Sequence, residues 1–301
     1  MATLTIIMKN LTDNSDSGPP NGWLQVNTRV SVIAIAITGV ALCVVIGLTL
    51  TSTASQQSIT PFLQSRISYP TGTVDSTQPS GEAPPSATMF PGYTLSYVHT
   101  FTGTSLPPGW YSFQGTPGGN PYAQFASSHV VVSGGLLQLN TFKDPAYDNK
   151  WTTGGLCQCG HAQTYGAFFV RSRVTGAGPD EAMLLWPVAK VWPPEIDFNE
   201  TGEGDTSTGA TVHYGGTNLL DQRSVSIDQT QWHTWGVIWS PDSITYTVDG
   251  HVWGKISLKY EIPDQPMTLH LQQQTWCNKD RDCPVAPVSM LVNWVAEYRP
   301  N

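Results

Sequence analysis

The sequence predicts an all-β domain, and three observations carry that reading. The chain is rich in turn formers, with 28 Gly and 23 Pro among its 301 residues, and in the large aromatics that pleated sheets favour, with 11 Trp and 11 Tyr. Long stretches of helical periodicity are absent from the second two thirds of the chain. Short apolar or alternating runs recur there, each bounded by Gly, Pro, Asp or Asn. Taken in order, the strand candidates are 130–132, 136–140, 166–174, 182–185, 195–200, 208–213, 233–239, 244–248, 267–272 and 288–298. Many short strands joined by turns fit two sheets packed face to face. No internal repeat is visible.

The strand at 195–200 is unlike the others. It reads Glu195-Ile196-Asp197-Phe198-Asn199-Glu200, three acids in a chain that is only 12% charged. Successive side chains of a strand point to opposite faces, so Glu195 and Asp197 share one face while Ile196 and Phe198 enter a core. Strict alternation would bury Glu200 with the apolar pair. A one-residue bulge near Phe198-Asn199 returns it to the acidic face, and bulges are frequent beside active sites. Three carboxyls in a row could bind calcium or decorate a solvated face. They are also the equipment of a retaining glycosidase. Like charges held together repel, so one carboxyl is expected to hold its proton near neutrality while a neighbour stays ionised.

The flanking sequence adds Met183-Leu184-Leu185-Trp186-Pro187 and Val191-Trp192-Pro193-Pro194 before the acids. After them come Thr211-Val212-His213-Tyr214-Gly215, then Trp232-His233-Thr234-Trp235-Gly236-Val237-Ile238-Trp239. Ile244-Thr245-Tyr246-Thr247-Val248-Asp249-Gly250 and the closing run Leu291-Val292-Asn293-Trp294-Val295-Ala296-Glu297-Tyr298 follow. This order, from about Tyr93 to Tyr298, resembles glycoside hydrolase family 16, the laminarinase and β-glucanase group. The two residues between Asp197 and Glu200 resemble its bulged, laminarinase-like branch. The resemblance implies a concanavalin-A-like jelly-roll β-sandwich. It implies Glu195 as nucleophile, Asp197 as its assisting carboxylate, Glu200 as acid/base, and His213 beside them.

Three departures from the family pattern stand out. Pro194 precedes Glu195 where the family has Gly. Leu269-His270-Leu271-Gln272-Gln273-Gln274 replaces an Asn- and Gly-rich strand. Many members hold a structural calcium through an Asp in the last strand, and the matching position is Asn293. The reading requires no cofactor, and a structural calcium stays open as an alternative that Asn293 does not support.

Sugars present apolar C–H faces that flat aromatic rings complement. Trp192, Trp276 and Trp186 are the candidate substrate platforms, with His213 as a hydrogen-bonding neighbour. Trp235, Trp239 and Trp294 alternate within strands and are expected in the core. His161, His233 and His270 have no such context and are assigned nothing.

Residues 30–50 form an uncharged apolar run long enough to span a bilayer as a helix. A signal peptide is the alternative, with Ser52-Thr53-Ala54 offering small residues for cleavage. Arg29 abuts the run and the next basic residue is Arg66, which places residues 1–29 in the cytoplasm as a disordered tail. Residues 51–91, rich in Ser, Thr and Pro, read as a disordered stalk or linker, and 92–301 as the catalytic domain. The expected location is the cell membrane with the domain outside it, or secretion if the run is cleaved.

Five cysteines agree with export. Cys43 lies in the apolar run, and Cys157, Cys159, Cys277 and Cys283 lie in the domain. Cys277 with Cys283 closes a short loop. Cys157 and Cys159 read as too close to pair comfortably, which leaves two cross-links between the loops as an equal option. The spacing does not match zinc sites. Asn199-Glu200-Thr201 is a formal glycosylation sequon inside the acid strand and is read as coincidence. A net charge of −8 without a basic patch disfavours nucleic acid. The expected partners are a polysaccharide and the membrane, with the protein a monomer. The resemblance implies an endo-acting β-glycanase, by default on β-1,3- or mixed-linkage glucan. A transglycosylase on the same residues and a non-catalytic, lectin-like polysaccharide-binding module are the rivals.

Overall fold

In the computed structural model, residues 69–301 are described, apart from 119, 203 and 278–282. The apolar run at 30–50, the tail at 1–29 and residues 51–68 of the stalk lie outside them. Among the described residues no helix is long and apolar enough to cross a membrane.

Two antiparallel sheets face each other. The first has seven strands, in the order Leu219–Ser226, Ser207–Tyr214, Glu195–Glu200, Asp180–Pro187, Met267–Gln274, Gly155–Cys157 and Tyr111–Ser112. The second has nine. Its path runs His251–Ile256, Ser243–Val248, His233–Ser240, Gly166–Val174, Val288–Pro300, Leu136–Asp144 and Val130–Ser133. Tyr93–His99 pairs with Val288–Pro300, and Lys150–Thr152 with Leu136–Asp144. The core between the sheets takes Ile196, Phe198, Met183 and Leu185 from one side and Phe168, Val170, Trp235, Trp239 and Val295 from the other. Trp235, Trp239 and Trp294 are all buried, as their alternation predicts.

Gly166–Val174 does not alternate in polarity because both of its faces are covered. Phe168 and Val170 enter the main core. Ala167 and Phe169 join Trp294, Ala296 and Tyr298 in a second apolar cluster on the outer face. That cluster is covered by residues assigned above to the stalk, and here the structure draws the domain boundary earlier. Thr73–Val74 and Glu82–Ala83 pair as a short hairpin. Phe90 packs on Phe169 and Tyr298, and the Trp294 indole N–H donates to the Glu82 carbonyl. The composition of 69–91 is poor in apolar residues, but a few well-placed rings and backbone carbonyls are enough to dock it.

Asn293 belongs to the same seam. Its Oδ1 accepts from the Ser80 hydroxyl at 2.6 Å and the Ser80 N–H at 3.3 Å, and its Nδ2 donates to the Gly135 carbonyl at 3.1 Å. A neutral amide whose oxygen is already used twice does not fit a calcium ligand. Both cysteine pairs close locally, Cys157 with Cys159 and Cys277 with Cys283. This corrects the expectation that the first two sit too close: their Cα atoms are 5.1 Å apart, inside the usual bridging range.

Candidate active site

The acid strand lies near the middle of the seven-stranded sheet, and its register contains the expected bulge. Glu195, Ile196 and Asp197 face His213, Val212 and Thr211, while Glu200 faces Gly209. Three steps on one strand therefore match two on its neighbour. On the other side Met183 faces Asn199 and Leu184 faces Asp197, so Phe198 is the residue passed over. Ile196 and Phe198 are fully buried in the core. Glu195 and Glu200 are partly exposed and Asp197 is buried, all on the face turned away from that core.

The acids are short of cations. Burial raises the Glu195 carboxyl well above the usual range, and the charges of Asp197 and Glu200 add to this. His213 and the hydrogen bond from Trp192 oppose the rise. Burial followed by the Glu200 charge raises Asp197 in the same way, and burial raises Glu200 against the pull of His213. Each member of the row is thus pushed toward its neutral form, and ionising one makes the next harder to ionise.

Two of the four sequence-predicted binding residues join the acids. The Trp192 indole N–H donates to Glu195 Oε2 at 2.6 Å. His213 Nε2 lies 3.4 Å from Asp197 Oδ2, its Nδ1 lies 2.8 Å from Asn218 Oδ1, and its ring is 5.5 Å from that of Trp192. Trp186 sits on the same sheet with its ring 6.2 Å from His270, not on the acids. Trp276 is half-buried beside Cys277, and no described contact brings it to them.

Sequence reasoning missed His270. Leu184 pairs with Asp197 on one side and with His270 on the other, so these three share one row across the sheet. Burial lowers the imidazole to about 4, which keeps it neutral, and its ring is 5.5 Å from Phe113. The signal was present: Leu269 and Leu271 are core residues, so the period of two turns His270 and Gln272 to the acid face.

Two groups of described residues bring three metal-ligand atoms within 4.8 Å of one another. Cys157, Cys159 and His270 form one, but its sulfurs are spent in a disulfide. Glu195, Asp197 and His213 form the other. An ion there would favour the ionised carboxyls, against the direction in which burial shifts them.

Comparison with known proteins agrees with this geometry. The family model "Glycosyl hydrolases family 16" matches residues 120–295. A beta-glucanase of Rhodothermus marinus is 28% identical over 189 residues, covering 56% of this chain and 64% of the relative. The endo-1,3-1,4-beta-glycanase ExsH of Rhizobium meliloti (strain 1021) is 30% identical over 153 residues, covering 46% of this chain and 32% of the relative. The chain thus spans less than two thirds of the length of these curated relatives. The X-ray structure of the laminarinase from Rhodothermus marinus superposes with a TM-score of 0.62 at 22% identity, over 69% of this chain and 97% of that one. At that identity the likeness speaks to the fold.

Proposed function

The chain belongs to glycosyl hydrolases family 16, and from that premise we propose that it is an endo-acting, retaining β-glycanase working on β-1,3- or mixed-linkage glucan. The observation that carries the reading is the bulge that returns Glu200 to the face of Glu195 and Asp197. Relatives whose names specify β-glucan or β-1,3-1,4-glycan linkages support the substrate class.

In this reading Glu195 attacks the anomeric carbon as Glu200 gives its proton to the departing glycosidic oxygen. The C–O bond breaks, and a glycosyl ester forms on Glu195. Glu200, now ionised, takes a proton from water, and the resulting oxygen nucleophile attacks the anomeric carbon and releases Glu195. Two inversions leave the configuration unchanged. Trp192 steadies the nucleophile through its hydrogen bond. Asp197, buried between the two glutamates and close to His213, keeps the shared proton on the row. Burial raises the Glu200 carboxyl and so favours its part as the proton donor. Trp186, Trp276 and the neutral His270 would supply sugar contacts further along the face.

The apolar run at 30–50, with Arg29 before it, supports a membrane anchor that holds the domain outside the cytoplasm.

The test is reducing-end release by the full chain on β-1,3-glucan, mixed-linkage glucan, agarose, carrageenan and xyloglucan, with Glu195→Gln as control. Release from a glucan by the unaltered chain only, with products of retained anomeric configuration by proton NMR, is the expected result. Binding to a glucan without release would replace the hydrolase with a lectin-like module. Inverted products would exclude the double displacement.

A further inference from the structure

Beneath the acid strand lies a buried polar network that the reaction does not use. A bulge breaks the ladder locally, and the polar groups it frees need other partners. On the side of Ser207–Tyr214 neither Phe198 nor Asn199 has a register partner, and of the two only Asn199 carries a polar side chain, which is fully buried. The Glu200 N–H donates to Thr208 Oγ1 at 2.9 Å, and the Thr208 hydroxyl donates to Asn199 Oδ1 at 2.6 Å. Gln229 Nε2 donates to the same oxygen at 3.3 Å. On its other side, Asn199 Nδ2 donates to Glu181 Oε1 at 3.0 Å. Glu181 is 1% exposed and is tied to the chain beyond the bulge: its N–H donates to Thr201 Oγ1 at 2.9 Å, and the Thr201 N–H donates to its carbonyl at 3.0 Å. Ser172, from the opposite sheet, lies 3.5 Å from Glu181 Oε1.

The surroundings are apolar. Met183, Leu185, Ile196 and Phe198 are fully buried. An acid here faces no cation within hydrogen-bonding or ion-pair range among the described residues, and burial raises its carboxyl to about 8. It is therefore neutral at neutral pH. Burying such a group costs stability that an apolar side chain would not. What the network does is fix one geometry, because its links through Thr208 and Thr201 reach the chain at and just after Glu200.

We propose that Glu181 is a positioning residue for Glu200: through Asn199 and Thr208 it holds the bulge in the one shape that aims the acid/base at the glycosidic oxygen. This rests on the reading of Glu200 as acid/base and names a residue that reading does not need.

The experiment uses the full chain and two substrates. One is the polysaccharide that it cleaves, whose leaving oxygen needs a proton. The other is a nitrophenyl β-glycoside of the same sugar, whose leaving group departs without one. Glu181→Leu should lower kcat on the polysaccharide by ~10- to 100-fold, the scale of a misplaced catalytic group. KM should stay within about twofold, and the nitrophenolate burst within about threefold, since neither needs the acid in place. Glu181→Gln, neutral and of the same shape, should restore kcat on the polysaccharide to within about threefold. Exchanging an uncompensated buried acid for Leu should hold or raise the melting temperature, which separates this loss from unfolding. If Glu181→Leu does not fold, Thr208→Val cuts the same relay at constant volume and should give the same split. Unchanged kcat in whichever of the two folds, an equal loss on both substrates, or a rise in KM with kcat intact would overturn the positioning role. Glu200→Ala runs alongside. If it keeps its polysaccharide activity, the acid/base reading itself fails. If it loses that activity and recovers with azide while Glu181→Leu behaves as the unaltered chain, only the positioning inference fails.

Discussion

The sandwich buries two clusters of acids, one on each sheet, and they behave in opposite ways. On the outer face of the nine-stranded sheet, Arg171 lies 3.1 Å from Glu82 and 3.6 Å from Asp249, and His233 Nδ1 is 2.7 Å from Asp249. Burial alone would push Asp249 up. Hydrogen bonds from His233 and the Thr234 N–H, with the charges of His233 and Arg171, hold it below the usual range instead. Burial would lower His233, but Asp249 raises it. On the seven-stranded sheet, Glu195, Asp197 and Glu200 lie deeper, with no arginine, and all three are raised. Burial pushes upward in both, more strongly in the second. The cation is what differs. A charge meant to stay needs a fixed partner, and a proton meant to move needs that partner withheld.

The largest effect expected from this contrast is on activity. Glu195→Gln should cut reducing-end release by ~10³-fold or more, because it removes the proposed nucleophile. Its melting temperature should hold or rise, since one member of a repelling row is gone. A steep fall in thermal stability would mean that the row is structural, like the outer cluster.

Next comes pH. A carboxyl raised in the folded state binds its proton more tightly there than in the unfolded chain. Stability is then highest below the unfolded value of about 4.5 and declines until the pH passes the folded value of about 8. For Glu181 a shift of that size corresponds to roughly 5 kcal/mol at most. Glu181→Gln should therefore flatten the decline in unfolding free energy between pH 5 and pH 8, measured by urea denaturation. Parallel curves for the two proteins would show that Glu181 already ionises freely.

The outer cluster is tested by Arg171→Met. Leaving buried acids without their cation costs about 3 kcal/mol, toward the lower end because Asp249 is 42% exposed. The value of kcat at 25 °C should not change. A kcat that falls in step with stability would join the two clusters into one unit.

Much of this contrast could be read from the chain. Three acids against Ile196 and Phe198 forced a choice between burying Glu200 and bulging the strand, and the bulge is there. His213 followed from its strand. Glu181 was not legible, because it breaks alternation by putting an acid on the inner face, and only tertiary partners from four separate segments explain it. Leu219–Ser226 escaped for the opposite reason. It is a polar edge strand with no buried face to set a period. The segment at 69–91 read as a stalk because its role depends on single contacts, such as Ser80 with Asn293 and Tyr298 with the Ser86 carbonyl, which leave no periodic trace.

The finest probe is Trp192→Phe. The ring is kept, but the N–H that reaches Glu195 at 2.6 Å is lost. That bond favours the ionised carboxylate, so its loss raises Glu195 further. A hydrogen bond to a charged group contributes about 1.5 kcal/mol, which is roughly tenfold in kcat/KM. The sign is specific. The nucleophile must be ionised, so the acid limb of the kcat/KM profile should move to higher pH, while the alkaline limb, set by the proton on Glu200, should stay in place. A shift of the alkaline limb alone would exchange the roles of the two glutamates. A loss of tenfold or more with neither limb moved would make Trp192 a sugar platform and nothing else. The row would then be tuned by burial, mutual repulsion and His213, with no part for the indole, and the comparison with the arginine-bound cluster would be at its sharpest.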